Sequence, residues 1–143
     1  MSPVEKSVLL PCPPEAAFRL FTEEISSWWP PERRHGGDAQ STIALAEGGR
    51  FYERTRGGAE VELGAVLAWE PPHRLVLDWY PGTDTEHPTR VEITFVADGG
   101  GTRVHVVHGS TPASEALFPA RAPRYDASWT LVLAALERAA GGR

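Results

Sequence analysis

The spacing of apolar positions changes twice along the chain. After a short alternating stretch, "VEKSVLLP" (Val4 to Pro11), which predicts an opening strand, Phe18, Phe21 and Ile25 recur at intervals of three and four, as on one face of a helix. Pro14 suits the first turn of that helix, where its missing N–H has no partner to lose, and Glu15 adds a favourable charge there. "SSWWPP" predicts a second short helix or turn stopped by Pro30 and Pro31, and Arg33 to Gln40 has no periodicity and reads as a loop. From Ser41 the period becomes two. "STIALAE" and "RFYERT" are predicted strands, the second set between the pairs Gly48-Gly49 and Gly57-Gly58, which read as turns. In "AEVELGAVLAWEPP" the alternation puts Val61, Leu63, Ala65, Leu67 and Trp69 on one face. Leu75, Leu77 and Trp79 share a face of the next strand, then Val91, Ile93 and Phe95, then Val104, Val106 and His108. Asp98-Gly99-Gly100-Gly101 is a tight hairpin signal. Beyond Pro119 and Pro123 the helical period returns, with Tyr125, Trp129, Val132, Leu133 and Leu136 forming a broad apolar stripe that Gly141-Gly142 ends.

These elements predict an α+β domain. A meander of antiparallel strands with one wet face needs a cover for the other, and the last helix is the only long amphipathic one available. No internal repeat or low-complexity linker divides the chain, so residues 1–143 read as a single domain.

Four segments, "PPEAAFRLFTEEISSWWP", "EGGRFYERTRGG", "GAVLAWEPPHRLVLDW" and "GGTRVHVVHG", are followed by a terminal "SWTLVLAALERA". Each is a loose pattern, but the ordered set covers nearly the whole chain. It resembles the START-like, or SRPBCC, superfamily, in the branch related to the activator of Hsp90 ATPase. The resemblance implies a helix-grip (Bet v 1-like) fold: a curved seven-stranded antiparallel sheet wrapped around the last helix, with a cavity between them. It also implies binding of apolar small molecules, with some members acting as cyclases, aromatases or hydrolases. One departure stands out. The family usually carries glycine before the tryptophan of the last helix, whereas this chain reads Ala127-Ser128-Trp129, so the serine is expected to alter helix–sheet approach or cavity shape. The loop Pro81 to Pro88 carries no recognisable motif.

Composition narrows the chemistry. With 14 Lys and Arg against 19 Asp and Glu, the net charge of −5 offers no basic footprint for nucleic acid or anionic lipid. Cys12 is the single cysteine, so neither an internal disulfide nor a multi-cysteine zinc site can form. No apolar run is long enough to insert in a membrane, Met1 to Leu10 lacks the apolar core of a signal peptide, and the expected location is cytoplasmic. His105 and His108, three apart on a strand, point to opposite faces, and His35, His73 and His87 have no ligand-like spacing, so no metal or other cofactor is expected. Neither a nucleophile elbow nor a phosphate loop is present.

Three features remain as candidate chemistry. Of Trp28 and Trp29, at least one could wall a cavity, or both could be ordinary core. His108, beside Val104 and Val106, is either a ligand contact and proton carrier or a strand-end imidazole satisfied locally. Glu53 shares a face with Phe51, while Arg50 and Arg54 face away. It is either an inward polar anchor or base, or a solvated rim residue, and a bulge beside the glycine pair could reverse the assignment. The expected ligand-binding set is Trp28, Trp29, Phe51, Glu53, Leu63, Leu77, Trp79, Ile93, His108, Trp129 and Leu133, with no catalytic residue assigned. A module binding a small apolar or amphipathic molecule comes first. An enzyme of the cyclase or hydrolase kind using Glu53 or His108 comes second, and an Hsp90-type chaperone partner third, since the eukaryotic activator's extra N-terminal domain is not expected here. A homodimer formed through an edge strand or apolar patch is compatible with all three.

Overall fold

The computed structural model describes residues 2–47 and 49–142, so Gly48 of the first glycine pair lies outside the described residues. Strand β1 (Val4–Leu10) is followed by helices α1 (Pro14–Thr22) and α2 (Ile25–Trp28) and one 3-10 turn, Pro31–Arg33. Six strands follow: β2 (Thr42–Leu45), β3 (Arg50–Arg54), β4 (Glu60–Glu70), β5 (Arg74–Trp79), β6 (Thr89–Asp98) and β7 (Gly101–Gly109). Helix α3 (Phe118–Gly141) completes the chain. All seven strands form one antiparallel sheet in the order β1-β7-β6-β5-β4-β3-β2, curled around α3 in the expected helix grip.

The inner faces follow from alternation. Leu75, Leu77, Val91, Ile93, Phe95, Val104 and Val106 are buried, and Trp129, Val132, Leu133 and Leu136 of α3 close over that apolar face. The hairpin at Asp98 pairs directly with Gly101, and both central residues have positive φ (56° at Gly99, 89° at Gly100), which glycine adopts without strain. The short helices seal one end of the grip. Phe18 meets Phe95 and Trp69 edge-on at 5.1 and 5.4 Å, and Phe21 tilts on Trp28 at 5.5 Å.

Three expectations are corrected. The helical run through Phe18, Phe21 and Ile25 is two helices, α1 ending at Thr22 and Ile25 opening α2. Helix α3 starts at Phe118, ahead of both prolines. Pro119 sits in the first turn, where no N–H is needed, and Pro123 forfeits one backbone bond on an exposed side. Strict alternation through β4 also fails. The β4–β5 register shifts between Val66 and Ala68, leaving Leu67 as the extra residue, 48% exposed, while Val66 and Trp69 pack against the core.

A second shift, in the β3–β4 register beside Phe51, places Gly64 opposite both Phe51 and Trp79. A Cβ there would lie 2.1 Å from the Asp78 carbonyl oxygen and 3.3 Å from the Phe51 ring. Gly64→Ala is therefore expected to lower stability by about 1–3 kcal/mol, the range for overpacking, read by urea denaturation. A change under half a kilocalorie would show that the sheet opens there freely.

Candidate functional site

At one end of the grip, where the sheet and α3 part, lies a cleft of about 350 Å³. Its wall is aromatic: Trp29 at the end of α2, Trp79 at the end of β5, and Trp129 and Tyr125 on α3. Its polar lining comes from Arg33 and His35 on the loop after α2, and from Arg124 and Ser128 on α3. Pro81 and Gly82 of the β5–β6 loop and Val132 complete it. The indoles are in contact with one another, Trp29 to Trp79 at 6.2 Å and Trp79 to Trp129 at 5.2 Å between ring centroids, so they form one continuous wall.

Local bonds hold this lining. The Trp29 indole N–H donates to the Arg33 carbonyl at 3.2 Å, tying the 3-10 turn to the wall. The Arg34 guanidinium donates to the carbonyls of Ser26 and Trp29, each at 2.9 Å, and to that of Ser41. Burial lowers the Arg34 pKa, opposed by the nearby carboxylates Glu53 and Asp38. Across the cleft the Tyr125 hydroxyl donates to the Pro81 carbonyl (2.9 Å) and Arg121 Nε to that of Gly82 (2.6 Å), so the β5–β6 loop is pinned to α3. Burial raises the Tyr125 pKa, which keeps the phenol protonated as a donor.

Of the expected ligand-binding residues, Trp29, Trp79 and Trp129 line the cleft, and the others do not. Trp28 is buried between Phe21 and Trp29 and gives its N–H to the Leu20 carbonyl at 2.8 Å. Phe51 stands behind the wall, 5.3 Å from Trp79 and 6.3 Å from Trp29. Leu77, Ile93 and Leu133 fill the packed interior, and Leu63 borders a neighbouring, shallower groove with Tyr80 and Asp84. Among the described residues the grip is thus filled along most of its length by side chains, and the cleft lies at the end where the loops meet α3.

Glu53 and His108 are both fully buried, yet neither reaches the cleft. Each is held by protein partners. The Glu53 carboxylate accepts the backbone N–H groups of His35 at 2.7 Å and Gly36 at 2.6 Å, so it anchors the loop that carries Arg33 and His35. His108 sits in a hydrogen-bond chain whose direction chemistry fixes. An indole N–H can only donate, so Trp129 Nε1 donates to His108 Nδ1 (3.0 Å) and the imidazole proton must be on Nε2. Nε2–H then donates to Thr89 Oγ1 (2.8 Å), and the threonine hydroxyl donates to the Trp79 carbonyl (3.0 Å). Tyr125 stacks on the ring at 4.0 Å, and burial pushes the His108 pKa down to about 3. Both groups are engaged by protein partners and neither lines the cleft, so Glu53 serves here as a loop anchor and His108 as the link between Trp129 and Thr89.

Sequence reasoning passed over Arg33, His35, Pro81, Gly82 and Arg124, which lie in aperiodic stretches or on the exposed side of α3. Ser128 was the one visible signal: the residue that departs from the family pattern is part of the lining. Among the described residues no group of three or more His, Cys, Asp or Glu side chains converges as a metal site, and no helix is long and apolar enough to cross a membrane.

Comparison with known proteins fits this geometry. A family model described as activator of Hsp90 ATPase homolog 1-like protein matches residues 11–141. The chain is similar to the solution structure of CalC, a self-sacrificing resistance protein from Micromonospora echinospora, at 28% identity and a TM-score of 0.74, covering 97% of this chain and 94% of that one. It is also similar to Txn09, an anthrahydroquino-gama-pyrone synthase complexed with SUM, at 29% identity and a TM-score of 0.56, covering 96% and 88%. The Aha1 dimer from Colwellia psychrerythraea shares the fold, at 17% identity and a TM-score of 0.67 over 97% and 96% of the two chains. No curated protein matches.

Proposed function

Because the chain belongs to the activator of Hsp90 ATPase homolog 1-like family, within the START-like superfamily, we propose that it binds a small, flat, largely apolar molecule in the cleft at the open end of the grip. One observation carries the reading: three indoles in a row, Trp79 touching both Trp29 and Trp129, wall a space of about 350 Å³ beside a packed apolar core. Small-molecule sites have about this volume, with apolar walls and a few placed polar groups. The structure relative that is a synthase bears the name of a fused-ring aromatic, which supports the same class of occupant.

Indole emission reports the test directly. Naphthamide, a neutral flat probe, is expected to quench the tryptophan fluorescence saturably. Ser128→Trp should abolish the quenching by filling the cleft from α3, with stability kept within about 1 kcal/mol because the position is only half-buried. Quenching that survives the substitution, or none in the unsubstituted protein, would place the binding reading in error.

A further inference from the structure

We infer that the occupant is an aromatic carboxylate, its ring against the indole wall and its carboxylate between the guanidinium groups of Arg33 and Arg124; this rests on the binding reading above. The chain carries a net charge of −5, yet no Asp or Glu lines the cleft, and two arginines do. Seven arginines elsewhere are matched to acids, Arg19 to Glu23, Arg50 to Glu60 and Glu62, Arg54 to Glu60, Arg56 to Asp38, Arg74 to Glu92, Arg90 to Asp78 and Arg103 to Asp98, while Arg34 and Arg121 donate to backbone carbonyls. Neither Arg33 nor Arg124 has such a partner among the described residues. Arg33 Nε is buried without any hydrogen-bond partner, an arrangement that desolvates a cationic donor and leaves it unsatisfied.

The two arginines line the same cleft. Arg33 is fixed from the loop side, its own carbonyl held by the Trp29 indole and the next residue clamped to Ser26 and Trp29. Arg124 comes from the opposite side, one helical turn before Ser128 on α3. Guanidinium groups suit this role, since their planar fork matches a carboxylate and their charge does not titrate away. The flat wall accepts the ring and the arginines the charge, so the cleft distinguishes an aromatic acid from its neutral analogue.

The experiment compares naphthoate with naphthamide, which share a ring system and differ in charge. Naphthoate is expected to bind about tenfold tighter, the weight of one charge-assisted hydrogen bond. Arg33→Met with Arg124→Met should erase that preference, so that the two probes bind within about twofold of one another. If the double variant does not fold, Arg124→Met alone, at an exposed helical position, carries the test by a several-fold fall in the ratio of naphthoate to naphthamide affinity. Equal binding of the two probes to the unsubstituted protein, or a preference that survives the substitutions, overturns the inference and leaves the cleft as a neutral apolar site. Failure of both probes overturns the binding reading as well.

Discussion

Glu53→Ala is expected to destabilise the protein by about 3–5 kcal/mol, a loss far above that of an ordinary surface carboxylate. The carboxylate is fully buried and accepts two short backbone N–H bonds, from His35 and Gly36, and hydrogen bonds to a charged group contribute about 1.5–3 kcal/mol each. Removing it also takes away the stronger of the two nearby carboxylates, Glu53 and Asp38, that offset the burial of the Arg34 guanidinium. Glu53→Gln separates anchoring from catalysis. A general base replaced by its amide keeps the fold and loses turnover, whereas here one end of the amide would present N–H groups to a backbone N–H. A loss of about 2–3 kcal/mol is therefore expected from the isosteric change as well. Urea unfolding measures both, and amide exchange at His35 and Gly36 should rise well ahead of the rest of the sheet. Variants within 1 kcal/mol of the parent would return Glu53 to the list of possible bases.

Most of the fold was legible because period two and period 3.6 are set by burial on one face, and this sheet buries one face throughout. What period could not carry were the bulges. Leu67 looks inward by alternation, yet the extra residue between Val66 and Ala68 turns it to solvent. Bulges depend on how two strands meet, which one strand's pattern does not encode. The start of α3 was hidden for a different reason: prolines read as helix boundaries, and here two lie inside the first turns.

The site was legible only in its aromatic half. Trp29, Trp79 and Trp129 fall on inner faces and announce themselves by size. Arg33, His35, Gly82 and Arg124 come from two loops and a helix flank, with Glu53 holding the loop after α2 and Tyr125 and Arg121 pinning the β5–β6 loop to α3. Glu53 and His108 share faces with core residues and both lie inside, but a face shared in sequence does not say what lies in front of it. Backbone N–H groups fill that space for one, and an indole and a hydroxyl for the other.

Acidification should reveal the second of these residues. A buried imidazole with a pKa near 3 stays neutral in the folded protein, while in the unfolded chain it takes up a proton near pH 6.5. The unfolded state then binds more protons over the interval, so the contribution of His108 is fully present above pH 6.5 and is lost as pH falls towards 3. At 1.36 kcal/mol per pH unit, the loss between pH 6.5 and 4.5 approaches about 2.7 kcal/mol. Carboxylates titrate in the lower part of this window, so the measurement is a difference between two proteins. His108→Gln offers Trp129 an acceptor and Thr89 a donor without a titrating ring. It should be less stable than the parent at pH 7, by about 1–3 kcal/mol for imperfect replacement of two buried hydrogen bonds. Its stability should then fall less steeply than the parent's down to pH 4.5, so the gap between the two narrows. Parallel profiles would mean that His108 protonates without leaving its place. That requires Trp129 Nε1–H to give up Nδ1, because an imidazolium has no acceptor to offer an indole. The bond that needs a neutral His108 thus also holds the Trp129 ring against the cleft, and acid should loosen the wall and the fold together.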